Sequence, residues 1–355
     1  MREDGQTAWR PEEVSTALAG LRDEAFAVAV DAHTAGEPIR VILSGYSEQM
    51  LEADSMAARQ VWLKENADEF RTRTMLEPRG HAAMFGAIVT EPTRDDADVG
   101  VLFPYPAGFA DMCGHGSIGV ATVLTELGLL PAQEGKNEIV LDTPAGLVTT
   151  VVHYQGGVAD RVDLFGTPSY FVDSVTVSLE GEDDVRVDVS FGGNFFGIVT
   201  VDQVDLSITP ENISLLNDFA HRIMKKINAR EDLRYVHPET GEVSLERIRF
   251  VEGGSGLKNI VIHEGAVIDR SPCGTGTCSQ LAREYHKGDI AKGEKKTYQS
   301  VTGTEFLGEV VEEKEEGGEK IITPKVTGSS YITGVNYFVA SRGDPLVNGF
   351  SVTPA

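Results

Sequence analysis

The chain has 355 residues, 41% of them hydrophobic and 24% charged, with a formal net charge of −24 at pH 7. It is long and apolar enough for a two-domain globular protein, and its acidity argues against nucleic-acid or anionic-membrane partners, because phosphates reward clustered Lys and Arg. Three cysteines are too few for a disulfide scaffold, no zinc-finger spacing occurs, and no run of about 18 apolar residues is present to span a membrane. Reduced thiols, a cytoplasmic setting and a small-molecule partner are therefore expected.

Residues 1–25 are polar up to Phe26 and read as an N-terminal extension. The β-branched runs Ala27–Asp31 and Ile39–Gly45 flank the turn-like His33-Thr34-Ala35-Gly36-Glu37-Pro38 and predict a hairpin or close strand pair. Residues 54–71 predict a helix capped by Asp54 or Ser55. Strands at Gly86–Thr90 and Asp98–Phe103 lead to Cys113-Gly114-His115-Gly116, after which apolar residues cover most of a helix circumference, the signature of a buried helix. Strands resume at Glu138–Asp142 and Gly146–His153.

Near residue 160 the same programme restarts. Strands at 161–165, 170–178, 185–190 and 196–201 precede a helix near 210–227, and strands at 247–252 and 258–263 lead to Cys273-Gly274-Thr275-Gly276 and a second buried helix over about 276–287. The final strands are 296–302, 306–313, 319–325 and 329–340, with the acidic stretch 312–318 as a solvated hairpin tip. Strands outnumber helices too heavily for a doubly wound parallel sheet. The expected fold is α/β (α+β): two pseudo-symmetric domains, each a curved, mostly antiparallel sheet wrapped around a central helix, with the active site in the cleft between them. The expected division is 26–155 plus 326–350 for the half with Cys113, and 156–325 for the half with Cys273.

The repeated Cys-Gly-x-Gly carries the chemistry, and each helical pattern after it stops at a glycine 15 residues past its cysteine, Gly128 and Gly288. A cysteine just before a helix has its thiolate favoured by free N–H groups and the positive end of the dipole, and the same groups hold an anion. One such cysteine is more often a small core hydrophobe. Two in the same local context argue for a thiol pair that takes a proton from one face of a carbon and returns one to the other. Other uses stay open at this point: a Cys–His hydrolase drawing on His115, His33 or His81, a redox pair, or a non-catalytic protein that binds an anion or amino acid. A metal site is weaker, since Cys273 and Cys278 lack a ligand-like spacing, and Cys278 reads as structural. Asp269 could receive a substrate ammonium, or be a turn carboxylate or a partner of Arg270. His115 could contact substrate or only cap its helix, and Asn194 could position a ligand or mark a strand bulge.

At these residues the sequence resembles the proline racemase family, which includes proline racemase, 4-hydroxyproline 2-epimerase and trans-3-hydroxy-L-proline dehydratase. The matching segments are Asp31-Ala32-His33-Thr34-Ala35-Gly36-Glu37, Glu77-Pro78-Arg79-Gly80-His81, Met112-Cys113-Gly114-His115-Gly116 and Asp269-Arg270-Ser271-Pro272-Cys273-Gly274-Thr275-Gly276-Thr277, with Gly328-Ser329-Ser330-Tyr331-Ile332-Thr333-Gly334 as a closing strand. The resemblance runs from about residue 28 to 350. It implies a fold of the diaminopimelate epimerase type and an isomerase that uses neither pyridoxal phosphate nor metal. Cys113 and Cys273 would be the acid/base pair, backbone groups of Gly114, His115, Gly274 and Thr275 would bind the substrate carboxylate, and Asp269 and His115 would lie near the ring nitrogen.

Dehydratases of the family carry Thr at the second cysteine position, so Cys273 implies racemisation or 2-epimerisation of a proline-type imino acid, with trans-3-hydroxyproline dehydration as the alternative. The segment 80–86 resembles proline racemases, in which the aromatic residue, here Phe85, walls the ring pocket. His263 stands where proline racemases tend to have Phe, and Arg247 where they have an apolar residue. If both reach the pocket, they favour a ring bearing a hydroxyl or another polar group; otherwise they are solvent-exposed strand residues. The expected partners are the imino acid and, as an option, a second copy of the chain.

Overall fold

In the computed structural model, the strands Ala27–Thr34 and Glu37–Ser44 pair antiparallel across a two-residue turn. Ala35 and Gly36 both have positive φ, 49° and 95°, the turn geometry whose twist matches that of paired strands. The described residues are 19–22, 24–237, 241–253, 257–264 and 267–352, so most of the extension expected over 1–25 lies outside them.

The chain leaves the sheet through the helices Met56–Asn66 (α1) and Asp68–Met75 (α2) and returns as Gly86–Thr90, parallel to Glu37–Ser44. The single helix predicted over 54–71 is thus two. Ser55 caps the first, its Oγ accepting from the Ala58 N–H at 3.2 Å. Ala67, at φ −149° and ψ 36°, breaks the run, and Asp68 and Glu69 then favour a new helix start through their charge.

Val99–Tyr105 follows antiparallel to Gly86–Thr90, and a second excursion through the helix Gly114–Glu126 (α3) returns as Gly135–Thr143, parallel to Val99–Tyr105. Gly146–Gln155 and Val158–Phe165 extend this sheet on one side, and Ser330–Phe338 extends it beyond Ala27–Thr34 on the other. The sheet curves around α3, which is buried along Gly114–Thr125. Ile118 and Val123 are fully buried in that core, where truncation of either to Ala removes about 2–4 kcal/mol.

The second half repeats the plan. Val185–Phe191 and Phe195–Thr200 form a hairpin, and an excursion through the helix Ile213–Asn228 (α4) returns as Arg247–Val251, parallel to Phe195–Thr200. Leu257–His263 runs antiparallel to that strand, and an excursion through Gly274–Lys287 (α5) returns as Lys295–Ser300, parallel to Leu257–His263. The parallel pairs fall at corresponding places in the two halves because a helix occupies each crossover, and a parallel return needs such a connection. Glu305–Glu316 pairs with Lys295–Ser300 and with Glu319–Gly328, which also meets Ser169–Val177; that strand pairs with Val185–Phe191 and closes the ring around α5.

Glu319–Gly328 pairs as well with Val158–Phe165, so one long strand serves both halves. The division expected from sequence put Val158–Phe165 in the second half. This strand pairs with Glu319–Gly328 on one side and with Gly146–Gln155 on the other, the latter through a tight turn at Gly156 and Gly157 with φ 62° and 88°. Short strands Gly108–Ala110 and Ile268–Asp269, which the sequence pattern did not reveal, precede the two cysteine motifs. A small hairpin of Tyr235–His237 with Gly241–Val243 is also new. No helix among the described residues is long and apolar enough to cross a membrane.

Candidate active site

Both cysteines are helix N-caps. Cys113 Sγ accepts from the Gly116 N–H at 3.3 Å and Cys273 Sγ from the Gly276 N–H at 3.4 Å. The first has ordinary extended backbone, whereas Cys273 sits at φ 65°, ψ 115°, a region that residues with side chains rarely adopt. Ser271 holds that conformation: its Oγ accepts from the Cys273 N–H at 3.0 Å and donates to Asp269 Oδ1 at 2.7 Å. The two helix starts meet through their glycines, since a Cβ on Gly114 would lie 3.1 Å from the Gly274 Cα, and one on Gly274 would lie 3.1 Å from the Gly114 Cα. The first-turn N–H groups of Gly114, His115, Gly274 and Thr275 have no acceptor within their own helices. Two positive dipole ends and four such donors converge on one place, which suits a carboxylate.

The side chains singled out from sequence gather here. Nδ1 of His115 lies 3.2 Å from Cys113 Sγ, and burial keeps the ring neutral against the opposing pull of Asp269 and the Pro38 carbonyl. Phe85 meets the His115 ring edge-on at 5.0 Å and stacks on Tyr105 at 5.7 Å. Burial, with the Arg247 charge adding to it, lowers His263 to about 4; by strand register it lies on the same sheet face as Asp269, since Val261, two residues before it, pairs with Asp269. Arg247 is paired opposite His263 across the strands and lies 3.4 Å from Glu246. Asp269 is buried, and its Oδ1 accepts from both the N–H and the hydroxyl of Ser271. Arg270 lies 3.6 Å from Glu37 rather than beside Asp269.

One electrostatic expectation is overturned. The helix starts were expected to lower the thiols, but burial pushes both up. Cys113 rises well above its usual range through burial, with Asp269, Cys273 and Glu37 adding to the effect against the Gly116 N–H. Cys273 is raised by burial and then by the charge of Asp269, with Arg249 and the Gly276 N–H opposing. The N–H donors do act in the expected direction; desolvation of a group only 5–7% exposed outweighs them.

Two residues were missed. Glu37 is 4% exposed, and burial together with the Asp269 charge lifts its carboxyl to about 8. It accepts from the Arg270 N–H at 2.7 Å and so ties the first hairpin to the second half. The signal in sequence was a carboxylate, Glu37, standing beside the turn at Ala35 and Gly36 within the segment 31–37. Arg249 is fully buried beneath Cys273; its sign in sequence was a second arginine on the alternate-residue face of Arg247–Val251. The other candidates take structural parts. Cys278 packs in the core, His33 Nδ1 accepts from the Gly36 N–H, and His81 Nδ1 from the Ala83 N–H. The Asn194 carbonyl closes a turn with the Gly192 N–H.

A strand-rich two-half fold with a buried helix and an N-capping thiol in each half defines an isomerase of the racemase and epimerase class. A family profile described as proline racemase matches residues 29–351. The chain is 39% identical over 328 residues to the proline racemase of Clostridioides difficile, covering 91% of this chain and 97% of that one. It is 38% identical over 328 residues to the 4-hydroxyproline 2-epimerase of Streptosporangium roseum, with the same coverage of 91% and 97%. The crystal structure of a hydroxyproline epimerase from Agrobacterium vitis with bound trans-4-hydroxy-L-proline matches with a TM-score of 0.83 at 27% identity, over 92% of this chain and 95% of that one. The chain belongs to the proline racemase family.

Proposed function

We propose that the protein is a racemase or 2-epimerase of proline-type imino acids, proline or 4-hydroxyproline, that moves a proton across the α-carbon between Cys113 and Cys273. The observation that carries this is the glycine-to-glycine contact of the two helix starts, each capped by a thiol. In this reading the carboxylate sits on the N–H groups of Gly114, His115, Gly274 and Thr275, which stabilise the added charge as the α-proton leaves and the carboxylate becomes enediolate-like. The ring nitrogen, as a secondary ammonium, pairs with Asp269, and His115 lies beside it. That pairing cancels the Asp269 charge that opposes ionisation of both thiols, so one thiol ionises once substrate is bound. The thiolate takes the α-proton, the opposite thiol gives its own to the other face, and configuration inverts.

Phe85 walls the ring, and His263 with Arg247 gives the far wall a polar character. Three free cysteines support a reducing, cytoplasmic setting. Incubation with L-proline and with trans-4-hydroxy-L-proline in D2O, followed by NMR of the α-position, tests the reading. Deuterium in at least one substrate is expected, and its absence from both would sink the proposal.

A further inference from the structure

Arg249 lies on the strand Arg247–Val251 and is 0% exposed. Its Nη1 donates to the carbonyl of Pro272, the residue before Cys273, at 2.7 Å. Its Nε and Nη2 have no hydrogen-bond partner among the described residues. A guanidinium keeps its charge in any surroundings, and a buried cation without an anion is costly.

The groups that act on Arg249 with negative charge are Cys273, Tyr298, Glu284 and Asp269. Glu284 is engaged by Lys296 at 3.1 Å, by Gln280 at 2.8 Å and by the Tyr298 hydroxyl at 2.8 Å. Tyr298 is held protonated by burial and by Glu284, and Asp269 serves Ser271. The Asp269 charge opposes ionisation of both thiols, so the Arg249 charge acting on Cys273 is what distinguishes them.

The first half lacks this device. A Cβ on Gly276 would lie 2.9 Å from Arg249 Nη1 and 3.1 Å from Cys273 Sγ, whereas one on Gly116 would lie 2.9 Å from the Phe103 ring and 3.1 Å from Cys113 Sγ. Corresponding glycines, each against its own thiol, thus rest on a cation in one half and on an apolar ring in the other. The charged groups acting on Cys113, namely Asp269, Cys273 and Glu37, all oppose its ionisation, and His115, whose Nδ1 lies 3.2 Å from this thiol, is held neutral by burial and adds no cation.

We propose that Arg249 is a positioning residue that makes the two thiols unequal, drawing negative charge to Cys273 so that this thiol gives up its proton first and Cys113 keeps its own. This rests on the two-thiol reading of the site. In the forward step Cys273 Sγ gains the α-proton while the Cys113 S–H proton passes to the opposite face of the same carbon, leaving a Cys273 thiol and a Cys113 thiolate. The enantiomer whose α-hydrogen faces Cys273 therefore meets the ready form of the enzyme.

The test is alkylation of the intact protein by iodoacetamide across a pH series, with each cysteine quantified by peptide mass spectrometry. The midpoint of each profile is read rather than the rate, because burial limits access to both thiols. The Cys273 midpoint is expected at least about one pH unit below that of Cys113, a tenfold difference in thiolate population. Arg249→Met is expected to raise the Cys273 midpoint by about the same amount and leave Cys113 unmoved, and Arg249→Lys to restore most of the shift. Coincident or reversed midpoints in the wild type overturn the proposal without recourse to a variant, as does an unchanged midpoint in Arg249→Met. Deuterium exchange on proline and trans-4-hydroxy-L-proline with the same wild-type sample separates the two readings. Exchange with coincident midpoints overturns the role of Arg249 alone, whereas ordered midpoints without exchange overturn the proton-transfer reading and support the charge assignment.

Discussion

Gly114 and Gly274 touch backbone to backbone, each Cα 3.1 Å from where the other's side chain would begin. This contact joins the two half-folds at the point where both helix dipoles end, and a side chain at either position would push the two backbones apart by a few tenths of an ångström. A methyl group at either position meets backbone, which cannot rotate away as a side chain would. Gly114→Ala and Gly274→Ala are each expected to lower kcat/KM by at least about tenfold through a shift of a few tenths of an ångström between the thiols. Circular dichroism should show the fold retained. Wild-type kinetics in both variants would mean that the spacing of the helix starts does not matter to the reaction.

The thiol pair predicts symmetric losses. Cys113→Ser and Cys273→Ser each replace a proton carrier by a hydroxyl whose pKa is far too high to serve, and each should cut turnover by about a thousandfold or more. Polarimetry on L-proline and trans-4-hydroxy-L-proline reads this directly, and full activity in either variant rules out transfer between two thiols.

Glu37 gives the protein a pH dependence with a defined sign. Its carboxyl is raised from 4.5 to about 8 by burial and by Asp269. Below 4.5 it is protonated in both folded and unfolded chains; as pH rises toward 8 only the unfolded chain gives up the proton, so folding stability contributed by this group falls. The loss is at most about 5 kcal/mol, at about 1.4 kcal/mol per unit. Glu37→Gln keeps an acceptor for the Arg270 N–H and removes the titration. Denaturant midpoints compared at pH 5 and pH 8.5 should show the variant gaining on the wild type at the higher pH; parallel behaviour would contradict the assignment.

His263 tests the polar wall. It shares a sheet face with Asp269 and is kept neutral by burial, so it has hydrogen-bonding capacity to offer a substituted ring. His263→Phe should raise the ratio of kcat/KM for proline over trans-4-hydroxy-L-proline by about tenfold or more, since a site that loses a hydrogen-bonding group stops favouring the hydroxylated substrate. An unchanged ratio would remove His263 from the specificity determinants.

Much of the architecture was legible in the chain. Alternation of β-branched residues located most strands to within a few positions, and an apolar surface all round the segment after Cys113 marked a buried helix, because burial on every side demands that composition. The break at Ala67 was not legible, since one residue's backbone ended a helix whose side-chain pattern could continue. The place of Val158–Phe165 depended on which neighbours it pairs with, and hydrogen bonds between distant strands leave no mark in local periodicity.

The duplicated Cys-Gly-x-Gly by itself determined that two thiols stand at two helix starts, because capping and glycine's small size act within a few residues. Only the tertiary structure decided what surrounds them. It set Glu37 against Arg270, Phe103 beneath one thiol and Arg249 beneath the other. It also reversed the expected direction of the thiol shifts, since desolvation depends on everything packed around a group, whereas the helix N–H groups come from its own next few residues.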